Sequence, residues 1–250
     1  MLVNEVVEAN SNKASRRPRR VASWAWLVSF LLIGAGVVAL GFLAQHAPAA
    51  GAGAAKQLAS HKQAIPIYLT VGLMDWALFY FCWAAVHSSG GNLWMLSGGR
   101  WNSWKEVAVD MGIALPFWIA WEGAANGMHW LLGASSAKTV DSLLPQSLLE
   151  IAVWIGVSIT AGICEELAFR GFLQRQLHAL SGNVVVAILG QALIFGLFHA
   201  YQGWKNVVVI TVLGILFGVL AAWRGNLRAN IVVHAWGDVW GGWLGALVMR

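Results

Sequence analysis

Charge is what this sequence has least of. Only 11% of its 250 residues are Asp, Glu, Lys or Arg, against 58% that are hydrophobic. An ordinary soluble domain carries about a quarter charged residues, so this balance excludes one. Cysteine is also scarce: Cys82 and Cys164 are the only two, both in apolar stretches, which excludes a disulfide framework and a CxxC metal knuckle. The net charge of +5 does not imply nucleic acid as a partner, because the basic residues cluster on no soluble module with an aromatic or helix-turn-helix pattern. There is no His-Glu-x-x-His zinc pair and no Gly-x-Ser-x-Gly elbow.

Long apolar runs are abundant instead. A spanning helix needs about 20 apolar residues, and seven segments approach that length: 21–45, 65–87, 106–133, 147–169, 183–200, 206–222 and 230–249. The third is interrupted by Asp110, Pro116, Glu122 and His129 and is expected to bend or to lie partly in the interface. The expected fold is all-α, a polytopic membrane helix bundle of about seven transmembrane helices. The first run exceeds a signal-peptide core in length and is read as a membrane anchor.

Residues 1–20 are polar and hold Lys13, Arg16, Arg17, Arg19 and Arg20, the signature of a cytoplasmic tail. With the N-terminus inside, Arg100, Lys105, Arg170, Arg175, Arg224 and Arg228 also face the cytoplasm. That makes eleven of the sixteen Lys and Arg residues. Lys56, Lys62, Lys138, Lys205 and Arg250 remain outside. The expected location is a plasma or inner membrane. Trp24, Trp26, Trp101, Trp104, Trp204 and Trp223 near segment ends read as an interfacial belt. Gly214 with Gly218, and Gly237 with Gly241, have the spacing that lets helices approach closely.

Ionisable groups inside apolar segments are expensive and mark functional sites. Three blocks carry them: Glu165-Glu166-x-x-x-Arg170, Phe195-x-x-x-His199 and His234-x-x-x-Asp238. Residues four apart share a helix face, so Glu166 and Arg170 are expected to pair, leaving Glu165 free as a proton acceptor. Ser181-Gly182-Asn183 marks a turn. Glu165 lies 16 residues before Ser181 and His199 lies 17 after Gly182, so antiparallel helices folded there bring the two to one depth. Phe195 shares a face with His199 and packs beside the imidazole. Counting straight helices leaves His234 roughly 15 Å from that depth, a gap that tilt, a kink at Gly190 or Gly196, or a short sixth helix would close. Asp238, one turn from His234, can hold that imidazole by charge or point with it into a cavity. Single ionisable residues elsewhere, Asp75, Asp110, Glu122, His87 and His129, are read as structural, and Cys164 as a buried inert thiol.

The three blocks resemble the CPBP family of intramembrane proteases, which includes the type II CAAX prenyl endopeptidases and the bacterial Abi and bacteriocin-immunity proteins. Glu165-Glu166-x-x-x-Arg170, Phe195-x-x-x-His199 and His234-x-x-x-Asp238 match that family's Glu-Glu-x-x-x-Arg, Phe-x-x-x-His and His-x-x-x-Asn or Asp in order and spacing. The resemblance divides the chain into the tail 1–20 and a transmembrane protease-like domain 21–250 with its motif core at 147–245. It implies an endopeptidase acting on a membrane-tethered peptide or protein in the bilayer. Glu165 and His199 would activate a water, His234 and Asp238 would stabilise the oxyanion, and Glu166, Arg170 and Phe195 would support them. An ionised Asp238 cannot donate as the asparagine of the prenyl endopeptidases does. The resemblance also implies a divalent metal, zinc, which Glu165, His199 and His234 would hold. The alternatives from another class are a non-catalytic membrane protein that uses the same groups as an ion or proton path, and an immunity scaffold.

Overall fold

The computed structural model describes residues 20–46, 64–133 and 143–248. Most of the 1–20 tail, the 46–64 stretch and the basic residues Lys56, Lys62, Lys138 and Arg250 lie outside the described residues. Within them the chain is helical, with no strand. The elements are α1 (Trp24–His46), α2 (Ala64–His87), the short α3 (Trp94–Ser97), α4 (Trp104–Leu132) and α5 (Leu148–Glu165). A π-helical segment (Glu166–Leu173) and α6 (Gln174–Ser181) continue α5, and α7 (Val184–Phe198), a 3-10 turn (Ala200–Gln202), α8 (Trp204–Arg224) and α9 (Arg228–Val248) complete the bundle.

Among the described residues, five helices are long and apolar enough to cross a membrane: Trp24–Leu43, Ala64–His87, Trp104–Leu132, the continuous Leu148–Ser181 and Trp204–Arg224. The fifth expected span shrinks to α7, an apolar helix of 15 residues. The chain is a polytopic membrane helix bundle. Pro116 sits inside α4 without ending it.

Local sequence explains the boundaries. Ser147 caps α5 in a capping box with Glu150. The expected turn is present: Gly182 takes φ +68° and the Asn183 side chain accepts from the amides of Val185 and Val186 to start α7. Exposed Trp104, Trp204 and Trp223 stand at helix ends, where a belt residue belongs.

The expected small-residue packing is present at Gly214, where a Cβ would stand 3.1 Å from Ala192, and at Gly237, where it would enter the Trp121 ring. Gly241 faces open space. The most consequential close approach lies elsewhere. At Gly162 of α5 an added Cβ would meet the Ala235 backbone nitrogen of α9 at 2.7 Å. Gly162→Ala is therefore expected to push α9 away and cost about 1–3 kcal/mol. Gly156→Ala, with nothing within 4 Å, should be near neutral. Thermal unfolding of the two variants in detergent checks the contrast, and equal melting temperatures would remove Gly162 from the packing account.

At the edge of the bundle, Asp110 is fully buried yet satisfied. Arg224 and Arg228 each approach it at 2.8 Å, and the Trp101 indole donates to it at 2.8 Å. Its structural reading is the one the contacts support.

Candidate active site

The π segment carries the first motif. In it Glu166 and Arg170 are almost wholly buried, at 0% and 2% exposure, so each must be paired to be tolerated. The expected pair is present: Arg170 Nη1 donates to Glu166 Oε1 at 2.9 Å. The guanidinium also lies over the rings of Phe195 at 4.4 Å and Phe217 at 5.2 Å. A π turn interrupting an α-helix is uncommon and tends to occur at functional sites. Here it begins one residue after Glu165, so the two consecutive glutamates belong to differently wound backbone.

Glu166 does more than neutralise Arg170. Its Oε1 accepts from His234 Nδ1 at 2.9 Å, and its Oε2 accepts from Asn230 Nδ2 at 3.2 Å. Asn230 also donates to the Phe217 carbonyl at 2.9 Å. Because a carboxylate only accepts, this bond fixes the proton of His234 on Nδ1 and aims Nε2 away from Glu166. Nε2 then faces two more carboxyls, Glu165 Oε2 and Asp238 Oδ2, each at 3.7 Å. The Glu165 side chain is 18% exposed and that of Asp238 36%, so this edge opens outward while the Glu166 edge is sealed.

One expectation changes. The group that orients the His234 ring is Glu166, and Asp238 stands at the opposite nitrogen. One turn on α9 brings Asp238 near its own helix's imidazole, but Nδ1 points across to the π segment. Glu165 and His199 form no ion pair within 4 Å among the described residues. His199 caps α7 and contacts the Phe195 carbonyl through Nδ1 at 2.9 Å, which places its proton there and leaves Nε2 with its lone pair. Phe195 stands between the two imidazoles, with ring centroids 4.9 Å from His199 and 6.3 Å from His234.

The depth gap expected for His234 closes by a route not foreseen. Leu227, in the turn after α8, lies 3.2 Å from where a Gly171 Cβ would be, and its amide donates to the Ser97 carbonyl at 2.8 Å. The chain thus enters α9 at the level of Gly171 rather than at the level of the Gly182 turn. Seven residues later His234 meets Glu165 and Glu166.

Residue types that ligate zinc are present, but they are not arranged as a metal site. Among the described residues no group of three His, Cys, Asp or Glu side chains stands where one cation would contact all of them. The set Glu165, His199 and His234 is therefore not brought together around one point, although the Nε2 of each imidazole stays available. Both thiols are buried, Cys164 at 1% exposure.

Asn230 and Asp75 were missed by sequence reasoning. Asn230 sits four residues before His234, so the face Asn230, His234, Asp238 was visible in the spacing. Asp75 on α2 is 3% exposed with Oδ2 unbonded, within electrostatic reach of Glu165, His234 and Asp238.

Residues 146–240, which contain this whole cluster except Asp75, match the family described as type II CAAX prenyl endopeptidase Rce1-like. That match supports the CPBP/CAAX protease family for this segment. No curated protein and no solved structure matches the chain. The apolar spans, together with this match, support an integral membrane protein.

Proposed function

We propose that the chain is an intramembrane endopeptidase that hydrolyses a peptide bond of a membrane-tethered peptide or protein, with a water activated by side chains. The observation that carries this reading is the His234 imidazole, oriented by buried Glu166 on one edge and facing Glu165 and Asp238 on the other. Glu165 takes the proton from the attacking water, assisted by the free Nε2 of His199. In the imidazolium form, with Nδ1–H held by Glu166, His234 donates Nε2–H to the carbonyl oxygen as negative charge develops on it. Glu165 passes the proton it took from water to the departing amine nitrogen. Phe195, between the imidazoles, limits how much water enters. No step passes through a metal. The distribution of Lys and Arg supports a cytoplasmic N-terminus as part of this reading.

The test is cleavage of a lipid-anchored peptide library by the protein in bilayers, read by mass spectrometry with and without a chelator. Products that survive chelation support the reading, and products abolished by chelation and restored by zinc contradict it. Asp238 gives a finer check. An asparagine there can donate to the oxyanion without charge, so Asp238→Asn should keep kcat within about tenfold. Asp238→Leu, with no polar atom, should lose about 100-fold or more, the scale of one oxyanion contact. Equal losses in both variants would show that the charge of Asp238 is what matters.

A further inference from the structure

Towards the Gly182 turn, Arg170, Gln174, Arg175 and His178 line a cavity of about 320 Å³, many times the space one water needs. No acidic side chain lines it. Arg175 donates from its two terminal nitrogens to the carbonyls of Met95 and Leu96. Neutral carbonyls leave its charge unbalanced, and no Asp or Glu pairs with it among the described residues. Three of its five N–H donors remain. The His178 side chain has no partner among the described residues. Two further atoms of the lining residues are buried without a hydrogen bond, Arg170 Nε and Gln174 Oε1, in residues 2% and 6% exposed. Gln174 Nε2 already donates to the Gly218 carbonyl at 3.0 Å, so the atom left over is its acceptor.

A cation without a counter-ion and buried polar atoms without partners both cost free energy. A ligand that brings an anion and a hydroxyl meets both needs. Val184, which lines the cavity, is the first residue of α7, so the positive end of that helix adds to the field. The negative end of α8, where Gly225 lines the cavity, is capped through the Gly225 amide and carries Arg224 in its last turn. The remaining walls favour a lipid over free phosphate. Val184, Ala221 and Leu227 make them apolar, and Leu180 and Trp223, close by on α6 and α8, are exposed as interfacial residues are. Basic pockets between helices at a membrane surface take anionic headgroups. We propose that this cavity binds an anionic phospholipid with a hydroxylated headgroup, its phosphate held by Arg175 and His178 and a headgroup hydroxyl donating to Gln174 Oε1. The lipid then rests against Arg170, the guanidinium that neutralises buried Glu166, and stabilises the folded bundle. Binding is a property of the resting protein and does not depend on the protease reading.

The experiment titrates the full chain, stripped of lipid in a neutral detergent, with phosphatidylglycerol, phosphatidylcholine or inorganic phosphate. Bound lipid is read by native mass spectrometry and stabilisation by melting temperature. One phosphatidylglycerol should be retained and raise Tm, with phosphatidylcholine binding about tenfold or more weakly. Arg175→Gln and His178→Glu should each weaken phosphatidylglycerol by about tenfold or more, the loss of one charge-assisted hydrogen bond. Lys105→Gln, at an exposed basic residue that does not line the cavity, should stay within about twofold. If Arg175→Gln, which gives up the Met95 and Leu96 contacts, fails to fold, His178→Glu decides alone. Equal retention of the two lipids by wild type overturns the proposal, as does unchanged affinity in His178→Glu or an equal loss in Lys105→Gln. Inorganic phosphate that stabilises the protein as much as phosphatidylglycerol also overturns it, because the site would then be one for a free anion.

Discussion

Arg170→Ala is expected to remove most of the folded protein, and activity with it. Arg170 is 2% exposed and bonded to Glu166, which is 0% exposed. Alanine would leave that carboxylate buried with only His234 and Asn230 against it. Breaking a buried pair from one side costs about 3–5 kcal/mol, a large part of the roughly 5–15 kcal/mol that holds a typical protein folded. The loss of a guanidinium packed on Phe195 and Phe217 adds to it. Lysine is not a substitute, because a point charge cannot lie flat between two rings. Removing both charges, as in Glu166→Gln with Arg170→Met, should recover folded protein without recovering cleavage, since His234 loses its charged partner. Size-exclusion profiles after detergent extraction provide the check, and wild-type yield from Arg170→Ala alone would refute the pairing energetics.

Glu165→Gln should have the opposite profile. The glutamine is nearly isosteric and the site is partly open, with the Glu165 side chain 18% exposed, so folding should be unaffected. The proton acceptor is gone, however, and removal of a general base typically costs about 10²–10⁴-fold in rate. Glu166→Gln, one residue away but sealed, should lower both yield and activity. Two adjacent glutamates with separable phenotypes, one chemical and one also structural, would be difficult to explain if the residues merely satisfied one another in a helix bundle. Comparable cleavage by Glu165→Gln and wild type would remove Glu165 from the chemistry.

How much of this was legible in the sequence depended on whether a contact was local. Glu166 with Arg170 and the Ser181-Gly182-Asn183 turn follow from helical spacing and turn chemistry, and both are present. The π segment was not legible, because spacing arguments assume 3.6 residues per turn and nothing in Glu166–Leu173 signals a wider one. The pairing of Glu166 with His234 was hidden by the same assumption of straight helices. The depth of α9 is set by Leu227 packing on Gly171, a tertiary contact 56 residues apart in the chain. Asp75 was treated as a lone intramembrane acid because its neighbours come from α5 and α9, far along the sequence. Asn230 was the avoidable omission: its spacing from His234 is the one that paired His234 with Asp238.

The most direct test of the account is the cleavage of a membrane-anchored peptide by the reconstituted chain in water enriched in oxygen-18. The account predicts an internal cut whose new carboxyl carries the label, formed by wild type and at least about 100-fold more slowly by Glu165→Gln. An intact peptide in the presence of folded wild-type protein, or a labelled product formed equally fast by Glu165→Gln, would contradict it.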